Sequence, residues 1–333
     1  MFKSYVEWIR QRVGRQKIFL VTSSVIVRDA SDRILLQQRT DFDVWGLPGG
    51  VLEIDEDIQA CAHRELREET GLEAGKFRLV GVYTEPQFDV TYPNGDQVQQ
   101  YTICLTGYLS GGDMAPDGLE TRAQAFFTLD EMADLSIPHW YWAMIRDAER
   151  GGPPAFLPPQ AASRPFDQIR LMRQFVGRER IVAVGAMTAV YRADGRFLLV
   201  RRQDNGEWTF PAGYSDLGEN AAHTAVRETL EETGYHVIPE RILAVYSSPT
   251  YHHTFPNGDQ VKNVGTLFLA RLNGGEAVPE AAEVSAIAWL LPAEALQAVP
   301  ELFRPLYAQV FAAMPPVNGD PTGQAWPRSA LLD

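Results

Sequence analysis

The sequence predicts an α/β protein made of two α/β/α sandwiches, each around a mixed sheet, related by internal duplication. Three observations lead there. The 333 residues, 45% of them hydrophobic, are enough to bury the cores of two ordinary domains. One offset of 163 residues lays the first half of the chain on the second with no gap. Within each copy, amphipathic helices bracket a β-rich middle that itself holds a short helix, the pattern of a sheet covered on both faces.

In chain order, Tyr5 to Val13 and Phe166 to Val176 carry apolar residues at helical spacing and open the two copies. β-rich stretches follow, broken by turns at Asp29-Ala30-Ser31-Asp32 and Ala193-Asp194-Gly195. A helix is expected from Asp57 to Thr70 and from Asn220 to Thr233, stopped by Gly71 and Gly234. Pro93-Asn94-Gly95-Asp96 and Pro256-Asn257-Gly258-Asp259 read as hairpin turns, because Asn-Gly suits positive φ. Each copy closes on a helix, Trp140 to Glu149 and Phe303 to Ala313. Arg150 to Gln160 is rich in Pro and Gly, which disfavour helix and strand interiors. The expected organisation is domain one over 1–150, a linker over 151–165, domain two over 166–314 and a loosely attached tail over 315–333.

The duplication is dense. Val13-Gly14-Arg15 recurs as Val176-Gly177-Arg178, Arg39 falls on Arg202, and Trp45, Pro48 and Gly50 fall on Trp208, Pro211 and Gly213. Thr91 to Val98 matches Thr254 to Val261 at seven of eight positions, and Glu120 falls on Glu283.

Composition excludes several classes. The longest nearly unbroken apolar run, Ile181 to Val190, has ten residues, too few to cross a bilayer, and reads as a buried strand. Charged residues interrupt Met1 to Arg15, so it lacks a signal-peptide core and a cytoplasmic location is the default expectation. Cys61 and Cys104 are too few for a disulfide framework or a cysteine zinc site. A formal charge of -13 argues against general nucleic-acid binding, so a phosphate-bearing ligand would need metal ions and local arginines.

Gly50 to Leu72 reads GVLEIDEDIQACAHRELREETGL and Gly213 to Tyr235 reads GYSDLGENAAHTAVRETLEETGY. Glu65, Glu68 and Glu69 stand at i, i+3 and i+4 of a helix and share one face, as do Glu228, Glu231 and Glu232. Like charges so placed repel, and a hard cation such as Mg²⁺ among them relieves the repulsion. Glu56 and Glu219 lie at the loop-to-helix junctions, and Arg64 and Arg227 can pair with these carboxylates. A solvated, salt-bridged helix face is the alternative reading of a single such segment. Seven residue types fixed in 23 positions, twice over, favour a metal site.

This pattern, Gly-x5-Glu-x7-Arg-Glu-U-x-Glu-Glu-x-Gly-U with U a bulky aliphatic, resembles the Nudix box. Copy two departs at the U positions, with Thr229 and Tyr235, and copy one has Asp55 where copy two has Gly218. The loops before the two helices should therefore differ in shape, Asp tolerating left-handed backbone better than most residues. The resemblance implies a tandem pair of Nudix domains with structural roles for Gly50, Arg64, Gly71, Gly213, Arg227 and Gly234. It implies metal ligation by Glu56, Glu65, Glu68, Glu69, Glu219, Glu228, Glu231 and Glu232, with Mg²⁺ or Mn²⁺ as cofactor. The general base stays open between Glu65, with its partner Glu228, and the outside carboxylates Glu120 and Glu283.

The implied reaction is hydrolysis of a nucleoside diphosphate linked to another moiety. Arg39 and Arg202 end a strand just before the box and are candidates for phosphate contact. Trp45 and Trp208 fit core packing better than base stacking, and His252 and His253 read as loop residues that tune specificity. Pro86 and Pro249 lie near where ADP-ribose hydrolases of this superfamily carry a proline, and Tyr251 near a tyrosine of dinucleoside polyphosphate hydrolases. The substrate expectation is ADP-ribose or a nucleotide sugar, the alternatives being dinucleoside polyphosphates, nucleoside triphosphates, or nucleotide binding by a non-catalytic regulator. Partners are thus a small nucleotide, no nucleic acid and no membrane. The two copies are expected to pack as an intramolecular pseudo-dimer with both sites active.

Overall fold

The computed structural model describes residues 4–40, 42–115, 121–312 and 331–332. The first half runs α1 (Tyr5–Val13), β1 (Ile18–Arg28), β2 (Ile34–Arg39), β3 (Trp45–Gly46), α2 (Ile58–Thr70), β4 (Leu72–Ala74), β5 (Arg78–Tyr83), β6 (Val90–Thr91), β7 (Gln97–Gly112), β8 (Thr121–Phe127), α3 (Leu129–Met132) and α4 (His139–Arg150). The second runs β9 (Ala161–Phe166), α5 (Gln168–Val176), β10 (Ile181–Tyr191), β11 (Phe197–Arg202), β12 (Trp208–Thr209), β13 (Ala212–Tyr214), β14 (Leu217–Glu219) and α6 (Ala221–Thr233). It continues with β15 (Tyr235–Tyr246), β16 (His252–Thr254), β17 (Gln260–Gly275), β18 (Val284–Leu290), α7 (Pro292–Ala298), α8 (Arg304–Ala312) and β19 (Leu331–Leu332).

Both sheets are mixed. β1 pairs in parallel with β7, and β10 with β17, while β2, β5 and β8, and β11, β15 and β18, pair antiparallel. The central strands read as nearly continuous apolar runs because both sheet faces are covered, and β10 is buried throughout except at Tyr191. The expected turns form at Asp32 and Gly195, one repeat offset apart, with φ of 62° and 80°. Among the described residues no helix is long and apolar enough to cross a membrane.

The halves are not separate bodies. One hydrophobic cluster takes Ile9, Val13, Ile18 and Leu66 from the first half with Met172, Val176, Ile181 and Ala225 from the second. α1 lies against α5. The Tyr5 hydroxyl accepts from Val182 N at 3.0 Å, and Gln168 Oε1 accepts from Phe19 N. Tyr5 and Gln168 stand one repeat offset apart, so the contact is reciprocal about a pseudo-twofold axis.

Several expectations are corrected. The second opening helix starts at Gln168, where the Asp167 side chain caps Arg170 N, and not at Phe166. Residues 161–166 are instead β9, which pairs with β14 of the box loop. The segment 151–165 is thus docked. Ala155 N donates to Val80 O and Ala155 O accepts from Val82 N. This is possible because Gly81 lacks a side chain: a Cβ there would lie 2.6 Å from Ala155 O. Asp55 does not take left-handed backbone, whereas Gly218 has φ of 97°, so the two box loops do differ in shape. His252 and His253 belong to a strand, β16. The tail lies outside the described residues except for Leu331 and Leu332, which pair in parallel with Ala244 and Val245.

Replacing Gly81 with valine should displace the docked segment and destabilise the chain by about 1–3 kcal/mol. A lower urea midpoint and new proteolytic cleavage within 151–160 are the expected readings; an unchanged midpoint and cleavage pattern would contradict the docking.

Candidate active sites

Each acidic box is organised from the backbone up. α2 is capped by Asp57, whose side chain accepts from Ala60 N, and ends on Gly71 at φ 74°. α6 is capped by Asn220 on His223 N and ends on Gly234 at φ 75°. Both glycines take the left-handed cap that other residues resist. Thr229 replaces the aliphatic of copy one and is fully buried, its hydroxyl satisfied by Ala225 O at 2.7 Å. Gly50 and Gly213 leave room for the carboxyl groups of the box. A Cβ on Gly50 would fall 2.3–2.5 Å from the Glu65 carboxyl group, and one on Gly213 2.0–2.3 Å from that of Glu228.

Arg227 uses its whole donor set. Nε and Nη2 donate to Glu219 at 2.7 and 3.0 Å, Nη1 to Glu228 and Glu231 at 2.7 and 2.9 Å, and Nη2 again to Tyr214 O at 2.8 Å. Arg64 repeats this on Glu56, Glu65, Glu68 and Val51 O. Five contacts match the five N–H bonds of a guanidinium, which a lysine could not supply. Burial pushes the Glu56 carboxyl up, but the Arg64 hydrogen bonds outweigh it and hold it below its ordinary value.

The last glutamate of each helix lies deeper. Glu69 accepts from Gly49 N at 2.8 Å, and Glu232 from Ala212 N at 3.0 Å, again one repeat offset apart. Burial, reinforced by Glu65, pushes Glu69 up to about 8 despite the hydrogen bonds from Gly49 and Gln37. Burial and the Glu228 charge push Glu232 up to about 8, and burial pushes Glu228 up to about 7 against Arg227.

Glu283 precedes β18, its carbonyl held by Gln203 N, and its charge raises both Glu228 and Glu232. It therefore faces the second box. Glu120 lies outside the described residues. Arg202 is forked onto Asp204 at 2.9 and 2.7 Å while its charge reaches Glu232, and Arg39 likewise reaches Glu69. Trp45 and Trp208 pack against the cores, Trp45 edge-on to Phe127.

Beside the second box opens a cleft of about 270 Å³ lined by Asn205, Glu207, Tyr251, His252, His253, Asn263 and Phe303. Tyr251 stacks on Phe303 with centroids 5.5 Å apart and an interplanar angle of 2°. Asn263 accepts from the hydroxyl of Tyr214, the residue after Gly213. His253 Nε2 is buried with no hydrogen-bond partner among the described residues, and burial and then Arg202 push its imidazole down.

A family profile described as NUDIX domain matches twice, over residues 19–148 and 180–314. The chain belongs to the Nudix family. A Bacillus subtilis protein provisionally assigned as an 8-oxo-dGTP diphosphatase is 33% identical over 108 residues, 32% of this chain and 66% of that protein. An ADP-ribose pyrophosphatase of Methanocaldococcus jannaschii is 31% identical over 125 residues, 36% of this chain and 68% of that one. The crystal structure of an ADP-ribose pyrophosphatase from Streptococcus suis is 25% identical, covering 40% of this Nudix chain and 92% of that chain at a TM-score of 0.32. The enzyme class read from the two boxes, Nudix pyrophosphohydrolase, is the one named for the two sequence relatives from Bacillus subtilis and Methanocaldococcus jannaschii.

A hard divalent cation fits the donor set. The candidate ligands are all carboxylate oxygens, and burial, with like-charge repulsion added to it, raises Glu69 and Glu232. Among the described residues no group of three or more ligating side chains forms a ready metal cage.

Carboxyls raised in the folded state stabilise it fully below their ordinary pKa, and that contribution is lost as pH rises through the raised value. The metal-free Nudix protein should therefore lose stability as pH climbs from about 4.5 through about 8. Added Mg²⁺, needing ionised ligands, should restore it most at the alkaline end. Thermal melts with Mg²⁺ and with chelator across this range test the sign; a metal effect that shrinks as pH rises would contradict it.

Proposed function

We propose that the chain is a divalent-metal-dependent pyrophosphohydrolase with two working sites. Its substrate is a nucleoside diphosphate linked to a second moiety, ADP-ribose or a nucleotide sugar, cleaved at the phosphoanhydride. The observation that carries this reading is the buried, upward-shifted carboxylate beside an arginine-gathered set of glutamates, present in both copies. A solvated helix face would bury none of its glutamates.

Glu56, Glu65, Glu68 and Glu69, and Glu219, Glu228, Glu231 and Glu232, would hold Mg²⁺ or Mn²⁺. The bound cation would neutralise oxygens of the scissile phosphates and acidify a water. Arg64 and Arg227 orient the carboxylates. Glu228, drawn onto Arg227 with its carboxyl against Gly213, is the first candidate for the general base, and Glu65, placed the same way on Arg64 and Gly50, is its counterpart. Its carboxylate would take the proton of the attacking water. Glu283, facing the same box, is the second candidate, and Glu120 the corresponding one in copy one. Arg39 and Arg202 supply positive charge for the substrate phosphates.

The cleft beside the second box supports a ligand with a flat ring and hydrogen-bonding edges, as a nucleoside has. Its counterpart positions in copy one are Phe42, Val44, Phe88, Asp89, Val90, Gln100 and Trp140, a more apolar set. The two sites therefore take unequal substrates or work at unequal rates. Domain one over 1–150 and domain two over 166–314 act as an intramolecular pseudo-dimer.

The purified protein with Mg²⁺ or Mn²⁺ should turn over nucleotide sugars in preference to dinucleoside polyphosphates and nucleoside triphosphates. No turnover of any of these from neutral to alkaline pH would overturn the enzyme reading. Glu69→Gln and Glu232→Gln should each remove one site's share by orders of magnitude and together remove all activity. If either single variant, still folded, abolished turnover of every substrate, only one site works.

A further inference from the structure

The first backbone N–H groups of a helix have no partner within it, and a side chain that takes them sets where the helix begins. In both box helices the local cap takes a later N–H, and the partner of the very first one comes from the other half. Ile58 N, first in α2, donates to Ser247 Oγ at 3.0 Å, and Ala221 N, first in α6, donates to Thr84 Oγ1 at 2.8 Å. Thr84 and Ser247 follow β5 and β15 and stand one repeat offset apart.

The loops that carry Glu56 and Glu219 are held the same way. Lys262 Nζ donates to Glu53 O at 2.9 Å and to Glu56 O. At the matching position in the first half, Gln99 Nε2 donates to Glu219 O at 2.8 Å, and Gln99 Oε1 accepts from Gly218 N at 2.7 Å. All four side chains are buried, Gln99, Ser247 and Lys262 completely. A buried lysine is normally paired with a carboxylate. This one spends its hydrogen bonds on backbone carbonyls of the opposite box loop, and its counterpart does likewise with an uncharged amide.

We propose that each half positions the other's acidic box: Thr84 and Gln99 hold the second, and Ser247 and Lys262 hold the first. They are positioning residues, touching the box backbone and not the reacting atoms. Neither half alone carries a complete site, and a ligand that tightens one box is felt across the interface by the side chains anchored on it.

This rests on the reading that both boxes are catalytic, so the test has an arm that needs no activity. Hydrogen exchange on the full chain should show Ser247→Ala speeding exchange at Ile58 at least tenfold, with Lys262→Met loosening residues 53–58. Thr84→Val should act at Ala221, and Gln99→Leu at Gly218. The kinetic arm uses Glu232→Gln and Glu69→Gln backgrounds to isolate site one and site two. Ser247→Ala and Lys262→Met should lower kcat at site one at least fivefold more than at site two, with KM moved less, and Lys262→Arg should recover part of the loss. Thr84→Val and Gln99→Leu should show the mirror result. Local exchange confined to the substituted residue's own half, or equal losses at both sites, would overturn the proposal. Crossed exchange effects in a protein that turns over nothing would leave the positioning intact and sink the catalytic reading instead. Should Lys262→Met fail to fold, the milder Ser247→Ala and Thr84→Val decide the matter alone.

Discussion

Four carboxylates drawn from one helical face and the loop before it cannot share so small a volume without a counter-charge, and the guanidinium of Arg64 or Arg227 is the group that makes this possible. Each of its N–H bonds meets a carboxylate or a backbone carbonyl, so helix, loop and strand end are tied to one rigid fork. Much else follows from that knot. With the Glu65 and Glu228 carboxyls drawn in by the arginine, a side chain at Gly50 or Gly213 would push them out of place. The deeper glutamates, Glu69 and Glu232, are left without a direct share of the arginine: Glu69 is held by Gly49 N and the Gln37 side chain, Glu232 by Ala212 N, and both by burial. The arginine thus sorts the box into carboxylates it gathers directly and one that lies deeper, beyond its reach.

The same knot exists twice, and the two copies are packed so that their supports are exchanged. The shared hydrophobic cluster brings α1 against α5, and the ends of β5 and β15 reach the opposite box helices. The exchange is reciprocal in position but not in chemistry. A threonine answers a serine, and a glutamine answers a lysine.

The box was legible because its information is local. Spacing alone places Glu65, Glu68 and Glu69 on one face, and Gly71 and Gly234 announce the helix ends. The repeat offset carried the reading across to copy two, including the fold class and the mixed sheets. What escaped depends on distant partners. β9 could not be foreseen from 161–166, an exposed stretch containing Pro165, because its only reason to extend is the edge of β14. The linker's proline and glycine content hid its attachment, which depends on the missing side chain of Gly81. Lys262, Gln99, Thr84 and Ser247 are ordinary polar residues in strand surroundings, and nothing within several residues of each reveals that its partner lies in the other copy. The one available signal was that Thr84 and Ser247, both hydroxylic, coincide under the offset.

The docked segment between the halves has a further consequence. In a symmetric dimer of separate chains every substitution is made twice, so a residue at the interface must suit both ends of the axis at once. Joining the copies through 151–165 lifts that restriction. One gene now encodes two versions of each interface position, and a change acceptable on one side of the axis need not be acceptable on the other. Gln99 and Lys262 occupy equivalent places at the interface with unlike charge. Fusion also makes the pairing independent of protein concentration, because each half meets its partner within the same molecule however dilute the solution. The chain is free to let its halves drift apart in sequence while they stay bound in space.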